Sequence, residues 1–406
     1  MKTANYPLAG LKVVEMGTHV AIPNAARIMA EFGADVIKVE AAGGDPWRFP
    51  GEEFSVPTLD DENPFFAMQN ANKRLISLNI QYPQAVAALK RLLSNADVFM
   101  TSIRQQSLEK HGLSYDQLRK EFPRLIYCHN TGYGYEGAEA WRPGFDQASF
   151  WARTGALCDW VEDGASPFRP SVGFGDMATG AQLLSGVLMA LLGREKTGKG
   201  TLVSSSLLGC GIWYNSNGII SAQDCYGHHY PESRTNPKNP FTCFFQAQDG
   251  EWFAVVSFVD KGGFEGLLQK MLPVFGIQDW VEELGNGTFS HDNVEITARL
   301  RAEVRKRPSQ EWYQILREND VAFEPCVHLK DVSKDTQAWA NHYLQNVEFQ
   351  NGHRSVIPRS PIYMSEYDKK EVRAMGPVGA DTSKVLALFG YSDEEIHALK
   401  EQGAIK

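Results

Sequence analysis

The first forty residues constrain the fold more than any other stretch. Leu11-Lys12-Val13-Val14-Glu15-Met16 is a short apolar run of strand character, and Ala25, Ile28, Met29 and Phe32 then recur on one helical face until Gly33 stops the pattern. Asp35-Val36-Ile37-Lys38-Val39-Glu40 is a second strand candidate. A helix between two strands carries the chain back so that the second strand runs parallel to the first, which makes a βαβ unit and a parallel sheet.

Further apolar runs at Leu75 to Leu78, Val98 to Met100 and Leu125 to Cys128 alternate with helical segments such as Pro83 to Leu93. This α/β alternation predicts a doubly wound, Rossmann-like sheet. Asp176 to Leu192 reads as a long buried helix closed by Gly193, and Lys196-Thr197-Gly198-Lys199-Gly200 turns into a strand near Leu202-Val203. After Asp224 the chain becomes loop-like from Tyr226 to Pro240, which marks a domain junction. Phe244 to Gln248 and Glu251 to Val256 flank Asp249-Gly250, a pair suited to the two positive-φ positions of a type I′ hairpin. Residues 1–224 therefore read as the first part of a large Rossmann-like domain and 225–330 as a smaller α+β domain, consistent with two units for a 406-residue chain. Near the end, Ser392-Asp393-Glu394-Glu395 forms a capping box, and Gly390 closes a helix from Asp381 to Phe389.

A formal net charge of -9 disfavours a broad nucleic-acid surface, which needs clustered cations, but leaves room for a local basic pocket. The apolar run from Ala181 to Leu192 is shorter than the roughly 20 residues of a membrane span, and the first seven residues lack a signal-peptide core. The expectation is a cytoplasmic protein without membrane contact. Cys128, Cys158, Cys210, Cys225, Cys243 and Cys326 show neither a CxxC pair nor metal-ligand spacing, so reduced and mostly buried thiols with no metal site are expected.

The turn after the first strand, Gly17-Thr18-His19-Val20-Ala21-Ile22-Pro23, holds one glycine where a dinucleotide fingerprint needs three, so a nicotinamide cofactor is not expected. His19 lies where open α/β sheets place their sites, yet no Asp or Ser partner is recognisable, and a plain turn histidine explains it as well. His228-His229 reads as solvated loop. Asn70-Ala71-Asn72-Lys73-Arg74 sets two cations at a loop edge, which suits either phosphate binding or a solvated surface. In Gly173-Phe174-Gly175-Asp176-Met177-Ala178-Thr179-Gly180, glycines permit a tight turn and the following helix puts Asp176 at its N-terminus. An N-cap is the simple explanation of that aspartate; a reactive carboxylate, kept ionised by the helix N-terminus, is the other.

Together these segments resemble the class III coenzyme A transferase family, nearly end to end. The resemblance is carried by six pieces in order: Leu8 to Glu15, Phe32 to Glu40, Asn72-Lys73-Arg74, Thr131-Gly132-Tyr133-Gly134, Gly175-Asp176 and Lys196 to Gly200. It implies a large domain completed by residues 331–406, a small middle domain, and a homodimer of two interlocked subunits. It makes Asp176 the match for the family's catalytic aspartate and places Val20, Ala21, Lys73, Arg74, Arg104 and Lys110 around the coenzyme A site. Acyl-CoA and a free carboxylic acid are the implied substrates, with no permanently bound cofactor. Gly44-Asp45-Pro46-Trp47-Arg48, Pro143-Gly144-Phe145-Asp146 and Asp335 to Asn341 look like the 2-hydroxyacyl and arylacyl subgroup. Two departures stand out: no glycine-rich loop follows Tyr230, and the usual Gly-Glu-His-Thr reads Gly379-Ala380-Asp381-Thr382.

The density of Tyr133, Phe145, Phe150 and Trp151 beside the family motif predicts an apolar acyl pocket. A racemase of the same fold needs a histidine and an aspartate to move an α-proton, and Phe145 stands where racemases carry that histidine. A silent acyl-CoA binding protein would not need Asp176.

Overall fold

The computed structural model describes residues 5–406. The chain forms two compact units. The first takes the residues up to Ala156, Arg169–Ile220 and Asp335–Lys406; the second takes Leu157–Phe168 and Ser221–Lys334. The sequence boundaries at 224/225 and 330/331 lie a few residues from these, but the short excursion Leu157–Phe168 left no composition signal and was assigned to the large domain.

The first unit is built on a six-stranded parallel sheet of β1 (Lys12–Met16), β2 (Asp35–Glu40), β3 (Arg74–Ser77), β4 (Val98–Thr101), β5 (Ile126–Thr131) and β6 (Leu202–Ser206), in the order β3-β2-β1-β4-β5-β6. Successive side chains point to opposite faces, so neighbouring valines serve different cores. Val14, Ile37, Phe99 and Tyr127 pack with the helix Pro83–Leu93 and the C-terminal Val385, Leu386 and Ile396. Val13, Val36, Val98 and Ile126 pack with Ala25 and Met29 of the first helix (Ala21–Glu31) and with Leu183 and Val187 of a long helix (Phe174–Thr197). Apolar cover on both faces is what a parallel sheet requires.

That long helix runs well past Gly193 and ends at Gly198, whose φ of 70° supplies the left-handed cap. Gly193 lies inside it because a single glycine costs only about 1 kcal/mol in a helix interior. Its 24 residues include an 18-residue window of mean hydropathy 1.3, of which 33% is buried, so by length and composition it is long and apolar enough to cross a membrane. Here it packs on the sheet and on the first helix, with Met189 at 67% and Leu192 at 69% exposure on its other side.

The departure at Gly379-Ala380-Asp381-Thr382 has a structural use. The Leu75 N–H donates to Asp381 Oδ2 at 2.9 Å, the Ser77 N–H donates to Thr382 Oγ1 at 3.0 Å, and the Asp381 N–H donates to Leu75 O at 2.8 Å. This segment satisfies the open edge of β3, a place where unpaired backbone groups would otherwise face water.

In the second unit β7 (Thr242–Gln246), β8 (Trp252–Val256) and β9 (Ala322–Pro325) form an antiparallel sheet over a core that includes Phe245, Phe253, Met271 and Trp312. The β7–β8 loop is longer than the expected two-residue turn. Gln246 pairs with Trp252, and of the Asp-Gly pair only Gly250 has a positive φ, while the Asp249 carboxylate accepts from the Ser309 N–H and hydroxyl at 2.9 Å each. In the first unit β10 (Leu344–Glu348) and β11 (Arg354–Pro358) make a separate hairpin. The six cysteines are unpaired; Cys128 and Cys210 are buried, but Cys158, Cys225 and Cys326 are exposed, a correction to the expectation of mostly buried thiols.

Candidate active site

The strand order reverses between β1 and β4, so the chains leaving their C-terminal ends run to opposite sides and open a crevice. A cavity of about 490 Å3 occupies this switch point. The loop after β1 contributes Thr18 and His19, the loop after β4 Ser102 and Arg104, and the end of β5 Thr131 and Gly132; Asp176 forms part of the wall.

Asp176 is delivered by local packing. Gly173, at φ 74°, is the N-cap residue of the long helix, a conformation that disfavours any side chain. Gly175 lies against Phe150, where a Cβ would run into the ring, and at Gly180 a Cβ would stand 2.6 Å from Ala21 O. These close approaches bring the helix start onto the first helix and leave Asp176 half-buried at the cavity.

Asp176 is not the helix cap. The Asp176 N–H donates to Asp146 Oδ2 at 2.9 Å, and Asp146 also accepts from the Gly175 N–H, so the free amides of the first turn are satisfied from outside the helix. The Asp176 carboxylate makes no hydrogen bond of its own among the described residues. Burial, and then the neighbouring Asp146 carboxylate, push Asp176 up to about 7. The helix terminus alone would favour ionisation, but desolvation and a like charge outweigh it here. Burial also raises Asp146 against the hydrogen bonds it accepts.

Of the residues assigned to coenzyme A, Ala21 and Arg104 line the cavity, while Val20 is buried with its methyl groups facing Gly173. Lys110 is exposed at the end of the helix Gln105–Lys110, and Arg74 pairs with Asp35 at 2.5 Å on the surface; neither lines the cavity. Lys73 is turned inward. Its ammonium donates to Glu15 Oε2 at 2.7 Å, to Pro23 O at 2.9 Å and to Asn70 Oδ1 at 2.9 Å, which uses all three of its protons. Burial, assisted by nearby Lys38, pulls it down to about 7 against the attraction of Glu15. Lys38 beside it donates to Glu15 at 3.0 Å and pairs with Asp45 at 2.9 Å, forming a buried charge network below the β1 loop. The choice between a phosphate grip and a solvated surface thus missed a third arrangement, an internal ion pair.

Of the predicted acyl-pocket aromatics, Phe145 lines the cavity and is 62% exposed. Phe150 and Trp151 are buried behind the wall, against Tyr214 and Phe174 respectively, and Tyr133 lies under Arg142 and Arg153 at 5.4 and 5.8 Å. The cavity instead takes Trp47, Phe54 and Trp141. Trp47 sits in the Asp45-Pro46-Trp47-Arg48 stretch noted in the sequence; nothing in the pattern marked Phe54. Arg142 and Arg169 add cations that sequence reasoning missed. Among the described residues no group of three or more His, Cys, Asp or Glu is placed to hold a metal ion.

A Rossmann-ordered sheet with a half-buried aspartate in the cavity at its switch point is the frame of an α/β enzyme site. Residues 8–382 match CoA-transferase family III, and the chain belongs to that family: it is a CoA-transferase. It is 34% identical to the (R)-2-hydroxy-4-methylpentanoate CoA-transferase of Clostridioides difficile, covering 98% of this chain and 99% of that one. It is 30% identical to the cinnamoyl-CoA:phenyllactate CoA-transferase of Clostridium sporogenes, over 97% and 96% of the two chains. In three dimensions it resembles a CaiB/BaiF family protein from Brucella suis, with a TM-score of 0.78 and 24% identity over 95% of this chain and all of that one, a likeness of fold.

Proposed function

We propose that this enzyme transfers coenzyme A between an acyl-CoA and a free 2-hydroxy, branched or arylalkyl acid, with Asp176 as the covalent carboxylate. The observation that carries this reading is Asp176 itself, held by Gly173, Gly175 and Asp146 on a cavity whose wall includes Trp47, Phe54 and Phe145. In the first step the Asp176 carboxylate attacks the thioester carbonyl, the C–S bond breaks and the CoA thiolate leaves, giving a mixed anhydride. The thiolate then attacks the Asp176 carbonyl and releases the first acid. The aspartyl-CoA thioester so formed is attacked by the acceptor carboxylate, and the returning thiolate takes the new acyl group and frees Asp176. The thioester energy is kept throughout. Arg104, Arg142 and Arg169 supply cations for the anionic coenzyme.

Apolar rings in the wall favour bulky acyl groups, since burying such a side chain contributes about 1.5–3 kcal/mol. The two relatives named above support the same class of acid. A racemase reading gains nothing from Phe145, which offers no base beside Asp146. We further propose a homodimer, supported by the exposed apolar side of the long helix, and a cytoplasmic location, which suits six unpaired cysteines. The deciding experiment incubates the protein with an acyl-CoA and no acceptor. An adduct on the peptide carrying Asp176, trapped by hydroxylamine and seen by mass spectrometry, is expected; its absence in a protein that turns over with acceptor present would remove the covalent route.

A further inference from the structure

We propose that His19 reads the 2-hydroxyl group of the acid and is a specificity-determining residue of this transferase. The inference rests on the reading above, that Asp176 handles a 2-hydroxy acid.

His19 follows β1 with a φ of 62°, a left-handed conformation that is unfavourable for a non-glycine residue and persists only where neighbours enforce it. The enforcement is visible. The His19 N–H donates to Asp45 Oδ1 at 3.0 Å, Asp45 is anchored by buried Lys38 at 2.9 Å, and the Trp47 N–H donates to the same Asp45 oxygen at 2.9 Å. The next residues fasten this loop to the start of the long helix. A Cβ on Gly173 would lie 3.3 Å from Val20, and Asn24 donates to Met177 O at 3.1 Å. His19 and Asp176 both line the one cavity.

The imidazole stands between aromatic rings. Phe145 meets it edge-on at 5.9 Å with an interplanar angle of 82°, and Trp47 is 6.4 Å away. Nδ1 lies 3.3 Å from the Thr18 hydroxyl, and Nε2 has no protein partner among the described residues. Thus a polar tip with unused hydrogen-bonding capacity sits in an apolar stretch of wall. A 2-hydroxyl is one carbon from the carboxyl that reacts with Asp176, so it is carried to the wall around Asp176 whatever the rest of the chain. An imidazole can donate to it or accept from it. A site that hydrogen-bonds a substrate hydroxyl rejects the analogue lacking it far more strongly than an apolar pocket distinguishes one methylene.

The test compares 2-hydroxy-4-methylpentanoate with 4-methylpentanoate as CoA acceptors, as a ratio of kcat/KM. The unmodified enzyme should favour the hydroxy acid by at least about tenfold. His19→Gly, which accepts the left-handed backbone, should lower that ratio by about tenfold or more, and His19→Gln, whose amide nitrogen reaches near the Nε2 position, should restore much of it. A ratio left where it was, with both acids losing rate together, would overturn the inference and leave the transferase reading standing. An unmodified enzyme that transfers CoA to neither acid would overturn the substrate reading itself, and this inference with it.

Discussion

Asp176 is held by its surroundings nearer to protonation than an exposed aspartate, and this has two consequences. A protonated carboxyl cannot attack a thioester, so kcat/KM for the acyl-CoA should fall about tenfold per pH unit below about 7. Because the like charge of Asp146 contributes to the shift, Asp146→Asn, which can still accept from the Asp176 amide, should move that limb to lower pH. An unmoved pH profile would show that Asp146 acts only through its hydrogen bonds. The second consequence concerns stability. A carboxyl with a folded value of about 7 and an unfolded value near 3.9 binds its proton more tightly when folded, so it costs stability as pH rises between those values and costs the full amount above 7. Asp176→Asn removes this cost. The variant should lose turnover by several orders of magnitude yet melt higher than the native protein at pH 8, by about 1–3 kcal/mol, with no such gain at pH 4. Full activity in the folded variant would end the proposed mechanism.

At the scale of elements, the ion network below the β1 loop explains why two lysines can lie inside the sheet domain. Glu15 on β1, Lys38 on β2 and Lys73 before β3 meet across neighbouring strands, with Asp45 closing the group. Removing Lys73 leaves Glu15 with Lys38 and takes away its donor at 2.7 Å, and a buried acceptor left unsatisfied costs about 1–3 kcal/mol. Lys73→Ala should therefore lower the melting temperature by several degrees, while Lys73→Met, which fills the space, leaves Glu15 still paired with Lys38 and still loses the bond at 2.7 Å. A phosphate-binding Lys73 would instead raise KM for acyl-CoA at unchanged stability, so thermal melts and steady-state kinetics on the same variants separate the two roles.

For the whole molecule, the long helix has a divided character: one side is packed into the sheet domain and the other presents Met189 and Leu192, with Trp213 of the helix Leu207–Tyr214 also 69% exposed. An apolar surface of this kind marks an interaction site. If a second copy covers it, sedimentation should give a dimer, and the pair Met189→Glu and Leu192→Glu should shift it toward monomer or aggregate. A monomeric native protein would remove the homodimer from the proposal.

Local pattern was sufficient for the βαβ start, the α/β class, the helix capping box at Ser392 and Glu395, and the singling out of Asp176, because strand and helix periods and cap chemistry act within a few residues. It was not sufficient where partners are far apart in the chain. Whether Asp176 caps its own helix depends on Asp146, thirty positions earlier; whether Lys73 meets a phosphate depends on Glu15; which aromatics face the cavity depends on how Gly175 lets the long helix close on Phe150. The same holds for the β7–β8 loop, where the Asp249 carboxylate is engaged by Ser309, sixty positions later. The sequence by itself determined the sheet and singled out Asp176 as the candidate carboxylate. Only the tertiary structure decided its protonation, its capping and its neighbours, since burial and charge proximity are set by contacts that no local spacing encodes.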